Sequence, residues 1–301
     1  MNSSIEQPTV PSTNKPSRVN WRDYLALTKL RLSTLVGFSA VLGYLLAATA
    51  PLSVIQILLF AVSGLLITGA ANAVNQVLEV EFDRLMKRTD SRPLPTGRIS
   101  KERAIAFVAV LLFIGLFIQT LYFNPLTAGI SFISFLLYGF VYTPLKRVGS
   151  IAVYVGAIPG GLPPLIGWVA FTGTIENEAI WLFAIQFIWQ FTHFWAVAWV
   201  LDEDYAKAGF KLLPLRRPAG AQTALVILSF TMWLIPLGVM PYYWGYIGVI
   251  ATCISVFAAF ILLWLNVGLV RKPDIANAKR LMFAAFAYLP IVQIAFVLDR
   301  V

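Results

Sequence analysis

The sequence predicts an all-α polytopic membrane protein, nine transmembrane helices around a central cavity that opens toward the cytoplasmic side. Three observations carry this. Of 301 residues, 59% are hydrophobic and only 12% are charged, with a mean hydropathy of +0.78, whereas a soluble domain carries roughly 25% charged residues. The apolar residues gather into nine long runs, and the charges gather in the short stretches between them.

Residues 1–28 are polar, rich in Ser, Thr and Pro, with Glu6 and no apolar core. They read as a flexible cytoplasmic tail, neither signal peptide nor Arg-rich presequence, ahead of a membrane domain at 29–301. The nine runs follow at 30–49, 53–82, 104–122, 126–143, 150–171, 179–201, 221–239, 243–270 and 279–298. Most reach the roughly 20 residues that span about 30 Å of hydrocarbon. The fourth is the shortest and is expected to stand upright. The fifth holds Pro159-Gly-Gly-Leu-Pro-Pro164, which should break or kink it, and such backbone is tolerated only against protein or a cavity. It is expected to shape a wall for a bulky, flat substrate, although a kink used only for packing explains it as simply. The sixth contains the one histidine, His193, and Tyr242, Tyr243 and Trp244 at the start of the eighth suit an interfacial belt.

Orientation follows from Lys and Arg, which are retained on the cytoplasmic side near helix ends. Nine spans place the tail and the loops after the second, fourth, sixth and eighth runs on one face, and 22 of the 23 basic residues lie there. Only Arg300 lies opposite. The amino terminus is therefore expected in the cytoplasm, and topology accounts for the net charge of +9 without a nucleic-acid partner. A single cysteine, Cys253, excludes an internal disulfide, and a single histidine excludes a multi-histidine metal centre.

The acidic residues are placed less simply. Glu79, Glu81 and Asp83 close the second run, and Asp202, Glu203 and Asp204 close the sixth. Asn75, Glu79 and Asp83 are four residues apart and share one helix face. Carboxylates at a helix C-terminus oppose the helix dipole, so a cation should compensate. Hard oxygen ligands at a membrane rim suit Mg²⁺, which takes one or two carboxylates with waters and substrate phosphates. A salt-bridge belt with Arg84, Lys87, Arg88 and Lys207 explains the same residues. Because an even number of spans separates the triplets, both face the cytoplasm, and runs one to four and five to eight are compatible with parallel repeats sharing a cavity. Arg and Lys near them suit a diphosphate, although positive-inside bias alone would also place them there.

The segment Asn75-Gln-Val-Leu-Glu79-Val-Glu-Phe-Asp83, with Met86-Lys-Arg-Thr and Arg92-Pro-Leu-Pro-Thr-Gly97, resembles the first acidic motif of the UbiA-type intramembrane prenyltransferases. It looks most like the branch that farnesylates heme. Tyr142-Thr-Pro-Leu-Lys-Arg147, Gly156-Ala-Ile-Pro-Gly-Gly-Leu-Pro-Pro-Leu-Ile-Gly-Trp168, His193-Phe-Trp-Ala-Val-Ala-Trp199 and Asp202-Glu-Asp-Tyr-Ala-Lys-Ala-Gly209 extend the likeness over nearly the whole chain after the tail. Glu79 stands where many members have Asp, and His193 where quinone-type enzymes tend to have Asp. Both departures are similar to the heme branch and count against a quinone or chlorophyll precursor as substrate.

The resemblance implies that farnesyl diphosphate is held through Mg²⁺ by both motifs and ionised to an allylic cation. That cation attacks a vinyl group of heme B, and water completes heme O. It implies Asn75, Glu79, Asp83, Asp202 and Asp204 as catalytic residues, with Glu79, Asp83, Asp202 and Asp204 as metal ligands and Glu203 unassigned. It makes Lys87, Arg88, Arg92, Lys146, Arg147 and Lys207 candidate diphosphate clamps, and Tyr142 and His193 candidates for the heme side. His193 either ligates iron, orients substrate, or is a neutral histidine bonded to a neighbouring helix. The tail's poor likeness to a presequence favours a bacterial inner membrane over a mitochondrion, with the lipid bilayer as partner and heme A synthase or terminal oxidase assembly factors downstream. A transporter, the reading from another class, fits less well, since transport sites lie near the midplane and these charges sit at one rim.

Overall fold

The computed structural model describes residues 20–215 and 219–301. Among the described residues, nine helices are long and apolar enough to cross a membrane. A short helix α1 (Trp21–Thr28) precedes α2 (Leu30–Ala47), α3 (Val54–Asp83) and α4 (Lys101–Tyr122). The fourth span joins α5 (Pro125–Leu136), a π turn (Leu137–Tyr142) and α6 (Thr143–Leu145). Then come α7 (Ile151–Thr172), α8 (Asn177–Val200), the short α9 (Asp202–Lys207), α10 (Ala221–Met232) with α11 (Leu234–Tyr243), α12 (Val249–Arg271) and α13 (Ile275–Leu298).

Each span packs on the next, and α13 packs on α2, which closes a ring; α2 also meets α7, and α8 meets α13. One apolar core lies among α7, α8, α10, α12 and α13 around Phe191, Trp195 and Phe296. Another joins α1, α3, α4 and α5 through Leu27, Ile67, Val80 and Phe135. Between them α2 and α7 cross at backbone distance, because a Cβ at Gly43 would fall inside the backbone of Pro164 and one at Gly167 inside that of Ala40. Small residues at such crossings are how helices approach closely in a membrane, where dispersion contacts drive packing.

Several expectations are corrected. The boundary at residue 28 falls inside ordered chain: Trp21–Thr28 is a helix whose Asn20 cap accepts from the Arg22 N–H at 3.1 Å. The rest of the expected tail, residues 1–19, lies outside the described residues. α7 runs unbroken through its three prolines. Pro163 and Pro164 cannot donate to the carbonyls of Pro159 and Gly160, and Ser134 Oγ (3.4 Å) and Gln186 Nε2 (2.8 Å) donate to them instead. Neighbouring helices thus satisfy the freed groups, as hydrocarbon requires. The seventh span divides at Trp233, since Pro236 has no N–H for the Met232 carbonyl.

The second acidic triplet is also placed differently. α8 stops at Val200, and Asp202, Glu203 and Asp204 form the first turn of α9. They sit at a helix N-terminus, where carboxylates are favoured, so the dipole conflict expected there exists only at α3. With 30 residues, α3 is about 45 Å long at about 1.5 Å per residue. It exceeds the hydrocarbon thickness and carries Glu79 and Asp83 to the charged rim.

Candidate active site

The last three turns of α3 present Asn72, Asn75, Gln76, Glu79 and Asp83, all buried. Two of them hold the junction between α1 and α2. Gln76 Nε2 donates to Leu27 O at 2.8 Å, and Asn72 Nδ2 to Thr28 O at 3.4 Å and Ser33 Oγ at 3.1 Å. The junction residue, Lys29, is left-handed (φ 48°, ψ 54°), a conformation that costs a non-glycine residue about 1 kcal/mol or more. That turn sends its amine inward, where Nζ donates to Asn75 Oδ1 at 3.3 Å. Burial, then the charges of Arg92 and Lys146, pull the Lys29 amine down to about 7, against the attraction of Glu79 and Asp83.

Asn75 Nδ2 donates to Glu79 Oε2 at 2.9 Å and to Thr143 Oγ1 at 3.0 Å. Glu79 is paired with Lys146, Nζ to Oε1 at 3.0 Å. Burial would pull the Lys146 ammonium down, but Glu79 outweighs it and holds it above the usual lysine range. The same ammonium lies 4.8 Å from the Tyr142 ring and 6.0 Å from Phe210. Asp83, 1% exposed, is gripped by Arg92 Nη1. Arg92 belongs to a loop of successive turns, anchored by buried Met86, Leu94 and Ile99 and by Thr89 Oγ1 donating to Asp83 O at 2.8 Å. Arg98 ties this loop to Asp23 of α1 at 2.9 Å.

The chain from α9 to Phe210 touches the end of α3 and the loop after it. Arg88 stacks on Tyr205 at 5.9 Å, and Phe82 meets Phe210 at 5.6 Å. The segment after the sixth span therefore reaches the end of the second. Asp204 pairs with Lys207 at 3.5 Å. Asp202 lines a cavity of about 500 Å³ with Gly149, Ser150, Lys211, Leu212 and Leu215. Arg147 turns to the flank of α3, its guanidinium 4.1 Å over Phe82 and Nη2 donating to Leu78 O at 3.4 Å. Lys87 is exposed.

Among the described residues, no three His, Cys, Asp or Glu side chains converge as a metal ligand set. The donors still fit Mg²⁺, which needs only one or two carboxylates when a substrate phosphate completes its shell. Glu79 and Asp83 supply them, and buried Glu79 Oε1 faces the Lys146 ammonium at 3.0 Å without forming a well-aligned hydrogen bond. His193 stands elsewhere. It stacks on Trp189 at 5.1 Å, lies 6.3 Å from Phe286 and hydrogen-bonds the Met282 backbone of α13. The described contacts put it in the seam between α8 and α13, with Nδ1 buried and unpartnered.

Sequence reasoning counted Lys29 only among the topological cations, because nothing in one sequence shows a left-handed turn at a lysine. Thr143 was hidden inside the Tyr142 to Arg147 stretch. Both matter here because α3 reads them directly.

The UbiA prenyltransferase family model matches residues 36–289. The chain is 46% identical over 278 residues, covering 92% of this chain and 97% of the relative, to the protoheme IX farnesyltransferase of Cytophaga hutchinsonii. Among solved structures it resembles a digeranylgeranylglyceryl phosphate synthase, with TM-score 0.78 and 21% identity over 93% of this chain and 98% of that one. It also resembles a UbiA homolog from Archaeoglobus fulgidus bound to DMAPP and Mg²⁺, with TM-score 0.68 and 16% identity over 89% and 99%. Those two likenesses concern the fold, whereas the family match and the closely similar relative span the acidic face just described: the chain belongs to the UbiA prenyltransferase family.

Proposed function

We propose that the protein transfers the farnesyl group of farnesyl diphosphate to a vinyl group of heme B, giving heme O and diphosphate. The observation that carries this is the buried Asn75, Glu79 and Asp83 face, ringed by Lys29, Lys146 and Arg92, in a chain so similar to a protoheme IX farnesyltransferase over its length.

The C–O bond to diphosphate breaks with its electron pair leaving on oxygen. The allylic carbon adds to the vinyl terminus, and the resulting cation takes hydroxide from water, whose proton is released. Departure of a diphosphate demands preorganised positive charge in a poorly solvated place. Lys146 and Arg92 supply it from this chain, joined by Lys29 when its amine is protonated, with Lys87, Arg88, Arg147 and Lys207 as further clamps at the rim. Asp202 and Asp204 approach from α9 as the second set of acidic groups. Mg²⁺, when bound at Glu79 and Asp83, would neutralise leaving-group charge as a Lewis acid. The Tyr142 ring, already beneath an ammonium, offers the developing allylic cation a face worth roughly 0.5 to 2 kcal/mol. His193 presents the lone pair of Nδ1 as a candidate for the heme side. The cavity is taken to open at the charged rim, with that rim and the amino terminus in the cytoplasm of a bacterium and heme A synthase or oxidase assembly factors taking the product.

The test is purified protein in detergent with heme B and farnesyl diphosphate, with and without EDTA, read by mass spectrometry. Heme gaining a farnesyl group and a hydroxyl, and losing that gain with EDTA, supports the reading. Prenyl transfer to a quinone precursor but not to heme would overturn it.

A further inference from the structure

Asn75 differs from its acidic neighbours in one respect: its two ends are opposite in character. Only the amide oxygen suits a cation, so which end faces the site decides whether the residue helps or hinders. The hydrogen-bond network around such an amide decides its orientation, and here the network admits one answer.

Thr143 follows the π turn. Its backbone N–H donates to Tyr138 O, five residues back, and its Oγ1 donates to that same carbonyl at 2.9 Å. The turn exists because the ring of Pro144 would collide with the carbonyl four residues earlier in an α-helix, and the wider π register relieves this. A hydroxyl has one proton, and that of Thr143 is committed to Tyr138. What remains for Asn75 is a lone pair. Asn75 must therefore give an N–H to Thr143, at 3.0 Å, and its second N–H goes to Glu79 at 2.9 Å. The oxygen is left toward Lys29. Turned over, that oxygen would meet a carboxylate and a hydroxyl with no proton to offer.

We propose that Thr143 is a positioning residue for the reaction: its committed hydroxyl fixes the Asn75 amide with the oxygen toward the cation and diphosphate. This rests on the reading that Asn75 serves a metal–diphosphate site. Outer hydrogen-bond partners of this kind are typically worth 10- to 100-fold in metal affinity.

The experiment uses full-length protein in detergent with Mn²⁺ and inorganic diphosphate, bound Mn²⁺ being read by electron paramagnetic resonance. Thr143→Val keeps the shape and removes the acceptor, and should raise the half-saturating Mn²⁺ concentration about tenfold or more. Thr143→Ser keeps the hydroxyl and should stay within about twofold of wild type, and turnover of the valine variant should recover at saturating metal. In an Asn75→Ala background the valine substitution should add no further loss, since coupling between the two sites has been removed. Wild-type affinity in Thr143→Val, or equal weakening by serine and valine, would overturn the proposal while leaving the metal site standing. Absence of diphosphate-dependent Mn²⁺ binding in the wild type would remove the metal reading and this inference together. If the valine variant loses its thermal transition, Thr143→Ala is judged by the same criteria.

Discussion

Arg92 Nη1 donates to both carboxylate oxygens of Asp83, at 2.9 and 2.7 Å, so one guanidinium nitrogen closes the acidic face of α3 from a loop nine residues further on. The pair is unequal, since Asp83 is 1% exposed and Arg92 20%. Removing the cation leaves a buried carboxylate alone, whereas removing the acid leaves a cation that water can reach.

That asymmetry predicts two different phenotypes. Arg92→Met should destabilise the fold by about 3 kcal/mol, the usual cost of stranding a buried charge. Asp83→Ala should keep most of the stability while losing turnover by about 10³-fold, on the scale of a lost electrostatic contact at a reacting centre. Thermal unfolding in detergent and a heme O assay on both variants separate these effects. An active Asp83→Ala protein would contradict the site.

Lys29 predicts a pH dependence of stability. Folding holds its amine at about 7, whereas an unfolded lysine keeps its proton to about 10.4. Between those values the unfolded chain binds the extra proton, so stability should rise as pH climbs from about 7 toward about 10. Lys29→Met should flatten that rise. Melting temperatures of both proteins between about pH 6.5 and 9.5 provide the check, and parallel curves would refute it.

The crossing of α2 on α7 predicts a steric cost. A Cβ at Gly167 falls inside the backbone of Ala40, which no side-chain rotation relieves. Gly167→Ala should destabilise the protein by about 2 to 3 kcal/mol, in the range of overpacked cores. Gly64, around which an added Cβ meets nothing within 4 Å, serves as the control, and Gly64→Ala should leave the melting temperature unchanged or raised.

At the other end of the molecule, Asp299 Oδ2 accepts from Ala251 N at 2.7 Å, and its backbone oxygen accepts from Gly248 N at 2.6 Å. The side chain caps α12 from the end of α13. Asp299→Ala should cost about 1 kcal/mol, the usual loss for an N-cap. Hydrogen exchange of the first turn of α12 should quicken in the variant, and unchanged exchange there would rule the cap out.

The nine spans were legible because the need to bury apolar surface in hydrocarbon repeats nine times along the chain, and that requirement is local. The shared face of Asn75, Glu79 and Asp83 was legible for the same reason, since helix periodicity alone sets it. The break between Val200 and Asp202, the π turn before Thr143 and the inward Lys29 were not. The Lys29 turn depends on residues remote in sequence, since Asn72 and Gln76 hold its junction, and the use of the π turn appears only where Asn75 engages Thr143 from another span. His193, alone in its run, gave no sign that Trp189 and Met282 would hold it in the α8–α13 seam.

By itself, then, the sequence determined a nine-span helical protein with acids at the ends of two spans and cations along one rim, because hydrophobicity, helical period and loop charge act over one or two turns. Only the tertiary structure decided which cation meets which acid, which way the Asn75 amide points and where His193 lies. Most of those outcomes are set by contacts between residues tens of positions apart, Lys29 with Asn75, Lys146 with Glu79 and His193 with Met282, whose geometry no local pattern encodes.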